Sequence, residues 1–394
     1  MDLHLLSSPL WIQGFLGLGS IVFAELVRDC YHLAGHYWRP LQRLHMLHHK
    51  AYRPDLSVTS PEIYRQAQLY NDVPESAVMI MATGLAASLS GIWGIWLGTF
   101  YSLCFLIPAL ARSQGKLLFT DFAHEEGDLT ELPSHWTVNR TYHWRHHFDQ
   151  KNAYYSGHFN ILDRILGTSL SLKGKVVGIT GASGAMGQAL IQALLKQGAK
   201  PVALTTSTAE FLPEVRVVQW QPGAEADLRA ELQALDILVI NHGVNLYGDY
   251  SAAAIQTAYR VNALSALQLA ELFFETVTES SHKALKELWV NTSEAEVNPA
   301  FSPLYELSKR TLGDLITLHR LNAPCIIRKL VFGPFKSALN PYGVMSPDWV
   351  ASLAVALAKR DFRNIIVTIN PITYLLFPIK ETCQSLYFRL CRKQ

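Results

Sequence analysis

Apolar positions in the first third of the chain come in long blocks rather than at the spacing of a half-buried helix or strand. Residues 9–27 are apolar except for Glu25. These nineteen residues, as a helix, reach ~28 Å, about one hydrocarbon core. Residues 76–111 then run for 36 positions without a charge. One span needs about 20 residues, so this run predicts a hairpin of two, turning around Ser88–Gly91. Its short arms leave a re-entrant hairpin as the alternative. Arg28, Arg39, Arg43, Lys50, Arg53 and Arg65 separate the two blocks, and Arg112 and Lys116 follow the second. By the positive-inside tendency both flanks face the cytosol, which predicts an integral, multi-pass membrane protein. Burial of the same helices inside a soluble protein is the competing reading. A 36-residue uncharged run is hard to cover in a domain of this size.

The pattern changes at Lys175. Val176–Ile179 is a short apolar run, followed by Thr180-Gly181-x-x-Gly184-x-x-Gly187 and then a helical stretch from Gln188. Pro201–Leu204 reads as a second strand and Asp236–Ile240 as the fourth. The chain therefore predicts an α-helical membrane domain over 1–170 and an α/β Rossmann domain with a doubly wound parallel sheet over 171–360. An amphipathic tail over 361–394 is expected to lie on the membrane surface or to pack as a terminal helix.

Composition supports this division. Hydrophobic residues are 49% and charged residues only 17%, against roughly 25% in soluble proteins. A net charge of +2 excludes nucleic acid as an expected partner. Cysteines at 30, 104, 325, 383 and 391 form no C-x-x-C pair and read as reduced thiols facing a cytosol. No Lys or Arg precedes the first apolar block, so a cleaved signal peptide is not expected.

Twelve of the fifteen histidines precede residue 160. Three clusters stand out: His32-x3-His36, His45-x2-His48-His49 and His143-x2-His146-His147. Spacings of three and four put imidazoles on one helix face. Neutral imidazole is a good ligand for iron or zinc, whereas packed imidazoles without metal repel when protonated and leave donors unpaired when buried. The pattern therefore points to a metal centre.

These clusters, with Asn152-Ala-Tyr154-Tyr-Ser-Gly-His158-Phe-Asn-Ile-Leu-Asp163-Arg164-Ile-Leu-Gly167-Thr168 after them, resemble the fatty acid hydroxylase/sterol desaturase superfamily over roughly residues 10–170. The resemblance implies a dinuclear centre, normally two iron ions with zinc as a substitute in purified protein. It also implies O2, an electron donor that the sequence does not identify, and hydroxylation or desaturation of a membrane lipid. The ligands it implies are His32, His36, His45, His48, His49, His143, His146 and His147, with His124 as a ninth from the segment before the third cluster. Where some members have a second histidine four residues later, this chain has Asp128. His135 is a further ligand candidate, Asn139 a group that would support a ligand, and His158 one that would line the metal pocket. His4 reads as a surface residue.

In the back half, glycines at a strand–turn–helix junction let backbone N–H groups approach a pyrophosphate. Asn241-His242-Gly243, Asn262, Ser293 and Tyr305-x3-Lys309 follow in order, and with them residues 173–360 resemble the short-chain dehydrogenase/reductase family. The resemblance makes Tyr305 the acid/base and Lys309 the residue that lowers its pKa and holds the nicotinamide ribose. Ser293 would orient the substrate oxygen and Asn262 complete a proton relay. Thr180, Gly181, Gly184, Gly187, Asn241 and Gly243 would line the cofactor. Thr205, Thr206 and Ser207, with no acidic residue after the second strand, favour NADP over NAD.

The expected function is thus a bifunctional lipid-modifying oxidoreductase: O2-dependent hydroxylation or desaturation at the metal site, coupled to NAD(P)-dependent alcohol/carbonyl interconversion, with both sites on the cytosolic side. Long-chain aldehyde or wax metabolism, and a membrane sensor whose Rossmann half binds nucleotide without turnover, are the alternatives.

Overall fold

The computed structural model describes residues 9–117 and 119–392, so the expectation for His4 lies outside the described residues. The chain divides into two compact units, Met1–Ser169 and Leu170–Gln394.

The first unit is helical. Its opening helix, Leu10–Tyr37, does not stop at residue 27. Arg28, Asp29, His32 and His36 continue it because they fall on its buried face, three and four apart, where they find polar partners. Pro40, near the start of the next helix, follows a break at Trp38 and opens Arg39–Lys50. A long helix, Pro61–Ser90, ends at Gly91 in the left-handed conformation (φ +67°), and Trp93–Ser113 returns. The hairpin turns where expected, but its arms are longer than the uncharged run. Glu62, Arg65, Asp72 and Glu75 belong to the first arm. Leu10–Tyr37, Pro61–Ser90 and Trp93–Ser113 are each long and apolar enough to cross a membrane.

Packing in this unit is inverted. Gln13, Ser20, Glu25, Thr83 and Ser102 are buried between helices, while Leu10, Trp11, Phe15, Leu85, Leu89 and Phe100 point outward. That pattern suits a lipid solvent, in which apolar side chains gain nothing by turning inward.

The second unit is a seven-stranded, wholly parallel sheet in the order β3-β2-β1-β4-β5-β6-β7. The strands are β1 Val176–Thr180, β2 Lys200–Thr205, β3 Arg216–Gln219, β4 Ile237–Ile240, β5 Glu287–Asn291, β6 Ile326–Phe332 and β7 Asn364–Val367. The order is that of a doubly wound Rossmann sheet, with its switch point between β1 and β4. Two separate apolar cores include Met186, Leu190 and Val350 in one and Leu232, Leu269 and Leu312 in the other, as a sheet covered on both faces requires. One boundary moves. β7 lies beyond residue 360, and its partner β6 makes it part of the sheet rather than of a tail. The helix Pro371–Leu390 follows it.

Candidate metal centre and dehydrogenase site

Nine histidines meet in two groups. His32, His36, His45, His49 and His146 form one, and His48, His124, His143 and His147 the other; within each group one ligand atom per residue lies within 4.8 Å of the rest. All nine are buried. Two helices serve both groups, while Leu10–Tyr37 sends His32 and His36 to the first alone. Arg39–Lys50 sends His45 and His49 to the first and His48 to the second, while Arg140–Phe148 sends His146 to the first and His143 and His147 to the second. Spacings of three and four do not separate the groups; the packing of the helices does.

The facing atoms are Nε2. His32 and His36 Nε2 lie 2.9 and 3.2 Å from His146 Nε2, and His45 Nε2 lies 2.9 Å from His36 and 3.1 Å from His49. In the second group the Nε2 atoms of His124, His143 and His147 form a triangle with sides of 3.0, 3.1 and 3.2 Å. Hydrogen bonding cannot satisfy that triangle, because each neutral Nε2 either donates or accepts, and two of the three must then be alike, lone pair against lone pair or N–H against N–H. Nitrogens about 2.1 Å from a common metal would be about 3.0–3.4 Å apart, the spacing seen.

The opposite ring nitrogens set the tautomers. His45 Nδ1 is 3.0 Å from Asn71 Oδ1, His146 Nδ1 donates to Ala153 O at 2.8 Å, and His124 Nδ1 is 2.8 Å from Asp121 Oδ1. Acceptors at Nδ1 leave the Nε2 lone pair pointing at the centre. Burial lowers His45 to about 4 and His146 to about 3, and pushes His48, His49, His143 and His147 down as well. These six imidazoles are therefore neutral near pH 7, the form that binds a metal. Burial alone would raise Asp121, but His124 beside it holds the carboxyl well below the usual range. The donor set fits two metal ions.

Asn71 and Asp121 were not singled out in the sequence. Asn71 sits in a π-helical turn, Gln68–Asp72, inside the second apolar helix; the wider turn interrupts the ordinary helical register there. Asp121 stands three residues before His124, a spacing with a readable signal.

Four other residues stand outside the two histidine groups. His135 lies in neither histidine group; its ring rests against Trp136 and its carbonyl accepts from Arg164 at 2.9 Å. His158 also stands outside, 2.9 Å from an Arg28 nitrogen. Asp128 is exposed, and its backbone oxygen accepts from Arg140. Asn139 acts at the start of the third histidine helix, where its side chain accepts from Tyr142 N at 3.0 Å as an N-cap. The closing motif works through Asp163, whose carboxylate accepts from Tyr155 N, Ser156 N, Tyr142 OH and Thr168 Oγ1. One buried carboxylate thereby ties the loop after the third cluster to the helix that carries it.

In the second unit the loops at the carboxyl ends of the strands hold the other site. Gly181 adopts φ +61°, and a side chain on Gly187 would come within 2.3 Å of Gly181 O. A helix can follow β1 this closely only with glycine there. At Gly184, just before the helix N-terminus, a side chain would meet Gly181 O at 3.4 Å. Thr180 is buried and its Oγ1 accepts from Asn241 N at 2.9 Å, so it joins the ends of β1 and β4 rather than facing a cofactor. Asn241 Oδ1 accepts from Asn291 at 2.9 Å. Gly243 brings the backbone past Asn262 and Lys309: a Cβ there would lie 3.0 Å from Asn262 Oδ1 and 3.6 Å from Lys309 Nζ. Thr205 is buried, with Thr206 and Ser207 exposed beyond it.

Ser293 reaches Tyr305 despite its twelve-residue spacing. Its backbone takes φ +112°, which turns its side chain back to hydrogen-bond the tyrosine. Lys309 Nζ donates to Asn291 O at 3.0 Å. Burial lowers Lys309 to about 8, with Glu296 opposing. Tyr305 moves upward instead of down, because burial outweighs the Ser293 bond. Asn262 lies in a second π-helical turn, Arg260–Leu264. Its side chain accepts from Val244 N at 2.7 Å and donates to Val244 O and Ser308 Oγ. It clamps the segment after β4, and these bonds occupy the groups a side-chain relay would need.

No family model matches the chain. A monoglucosyldiacylglycerol epimerase from Synechocystis sp. (strain ATCC 27184 / PCC 6803 / Kazusa) is 53% identical over 405 residues, spanning 98% of this chain and 99% of that protein. The chain belongs to the family of that epimerase. The ketoacyl reductase HetN from Nostoc sp. (strain PCC 7120 / SAG 25.82 / UTEX 2576) is 26% identical over 236 residues, covering 52% of this chain and 82% of HetN. A short-chain dehydrogenase from Burkholderia cenocepacia J2315, solved in complex with NADP, is 15% identical with a TM-score of 0.47, covering 57% of this chain and all of that one. The second unit has the strand order of a doubly wound Rossmann sheet, and HetN and the Burkholderia dehydrogenase align with about half of the chain.

Proposed function

We propose that this protein is a membrane-bound glycolipid epimerase, whose Rossmann unit inverts one hydroxyl-bearing carbon of a glucosyl headgroup on diacylglycerol. The observation that carries the reading is the Ser293–Tyr305–Lys309 arrangement in a chain aligned over 98% of its length with a monoglucosyldiacylglycerol epimerase. NAD or NADP, held along Gly181, Gly184 and Gly187, would take a hydride and return it. Ser293 orients the sugar oxygen. Tyr305 accepts the hydroxyl proton as the carbon becomes a ketone and gives it back when that carbon is reduced from its other face. Lys309, beside Gly243, supplies positive charge under the tyrosine. Electrons and protons balance within one turnover, so the enzyme needs no external reductant.

The test is full-length protein, substoichiometric NAD(P) and monoglucosyldiacylglycerol. Headgroup conversion should proceed without net cofactor consumption, and Tyr305→Phe should slow it by about 10²–10⁴-fold while still binding cofactor. No headgroup conversion, or one cofactor consumed per product, would overturn the reading.

A second reading concerns the first unit, and the two histidine groups favour it. They would hold two metal ions, iron by the superfamily resemblance, which supply O2-dependent oxidation of a lipid C–H bond given an electron donor. The protein's own part is to gather nine buried imidazoles and to orient three of them, His45, His124 and His146, through Asn71, Asp121 and Ala153. Purified protein should then carry two metals per chain, and lipid products should include an oxygen- or unsaturation-bearing species formed only in air. Identical products with and without O2 would leave the metals without this role.

A further inference from the structure

The C-terminal helix Pro371–Leu390 has two faces that call for different surroundings. Thr373, Phe377 and Glu381, four residues apart, are buried on the inner one. Glu381 takes Lys329 at 2.7 Å and Arg320 at 2.8 Å, and Lys380 reaches Glu296 at 2.7 Å and Asp314 at 2.8 Å. Twenty residues could span a bilayer, but a helix held to the Rossmann unit by buried ion pairs cannot leave it to do so.

The outer face carries no charge. Ile372, Leu375, Leu376, Ile379, Leu386, Tyr387 and Leu390 are exposed, from 38% to 77%, and Cys383 fills the gap between Ile379 and Leu386. At 100° per residue these positions fall within about 120° of one another along the whole helix. Arg389 and Arg392 are exposed at its end. A strip this long facing water is unfavourable, and basic residues beside it complement anionic lipid.

The helix also begins next to the catalytic loop. Glu294 accepts from Thr368 and Thr373, and Asn298 donates to Thr373 at 2.7 Å. The same loop ends at Phe301, 95% exposed, four residues before Tyr305. Phe301 thus puts an exposed aromatic ring on the loop that the start of this helix holds.

We infer that the outer strip lies in the plane of an anionic bilayer at the headgroup–acyl boundary and seats the dehydrogenase unit on the surface where a glycolipid presents its sugar. This rests on the glycolipid reading above. The test uses full-length protein in phosphatidylglycerol nanodiscs, with Cys30, Cys104 and Cys391 replaced, buried Cys325 left in place, and Cys383 labelled with an environment-sensitive fluorophore. Spin-labelled lipid should quench this label at least roughly threefold more than it quenches a control label at exposed Glu214→Cys. Quenching of Cys383 by aqueous iodide to the same degree as the control overturns the proposal. So does dipolar coupling between spin-labelled Cys383 of two copies, which would make the strip a dimer surface, or shielding from both quenchers. The measurement needs no turnover, so an epimerase reading that fails leaves it interpretable. In an active preparation, Leu375→Glu with Leu386→Glu should lose about tenfold activity on bilayer glycolipid and keep it on detergent-dispersed glycolipid. Equal activity on both refutes the strip.

Discussion

The two units bury opposite things. The first hides nine imidazoles, two carboxylates of its opening helix and Arg28, and turns its leucines and tryptophans outward. The second hides its leucines and valines on both faces of a parallel sheet and builds its site at the strand ends. In lipid, helices gain by pairing polar groups with one another; in water, a sheet gains by hiding apolar area. One chain therefore holds two kinds of site: a closed cage of side chains from several helices, and an open ledge of loops shaped by glycine.

Metal removal should separate the two most sharply. Chelation should lower the first unit's melting transition by roughly 10 °C or more, since nine facing lone pairs lose their common partner. The shift that NADP induces in the second unit should remain. A single transition that follows both ligands equally would merge the two units into one.

Next in size is a charge stranded in the sheet. Arg328 in β6 makes a two-pronged contact with Glu287 in β5 at 2.8 and 2.9 Å, and a further one with Asp361 at 2.9 Å, all fully buried. Glu287→Ala should cost about 3–5 kcal/mol in denaturant unfolding of the second unit, because it leaves a buried cation without its main partner. The first unit's transition should not move.

Titration of Lys309 should give a smaller and pH-dependent effect. Its folded value of about 8 lies below the 10.5 of an exposed lysine, so between those pH values the unfolded chain holds more protons. Stability of the cofactor-free second unit therefore rises with pH across that window, by about 3 kcal/mol at most. Lys309→Met should flatten this slope in thermal melts taken from pH 7.5 to 10.5; a slope unchanged in the variant would assign it elsewhere.

The smallest effect should come from outside the metal cage. Asp121→Asn keeps an acceptor for His124 but removes the charge, and should weaken metal binding by about 10–100-fold while the protein stays folded. Metal titration against a chelator reads this directly, and no change would show that the carboxylate only caps its short helical turn.

Local patterns were legible in the sequence because each is carried by neighbours along the chain. The histidine spacings, the uncharged run that turns at Gly91, and the glycine turn after β1 all fall within a few residues. β3 and β7 left no such mark. β3 and β7 are the two edge strands of the sheet; β3 is mostly exposed and β7 is buried only at alternate positions, whereas β4, equally short, is buried throughout. The reach of Ser293 to Tyr305 depends on a backbone angle that spacing does not encode.

From the sequence alone came the histidine spacings, the membrane-length helices and the strand–glycine–helix grammar of a dinucleotide fold. These follow from composition and short-range periodicity. Tertiary structure alone decided that nine histidines divide as five and four, that His135 and His158 stand apart, and that Asn71 and Asp121 orient the rings. It also decided that the last helix has an apolar side left uncovered. Those outcomes depend on which faces of distant segments meet, and the free energy that selects them comes from packing and burial between segments far apart in the chain.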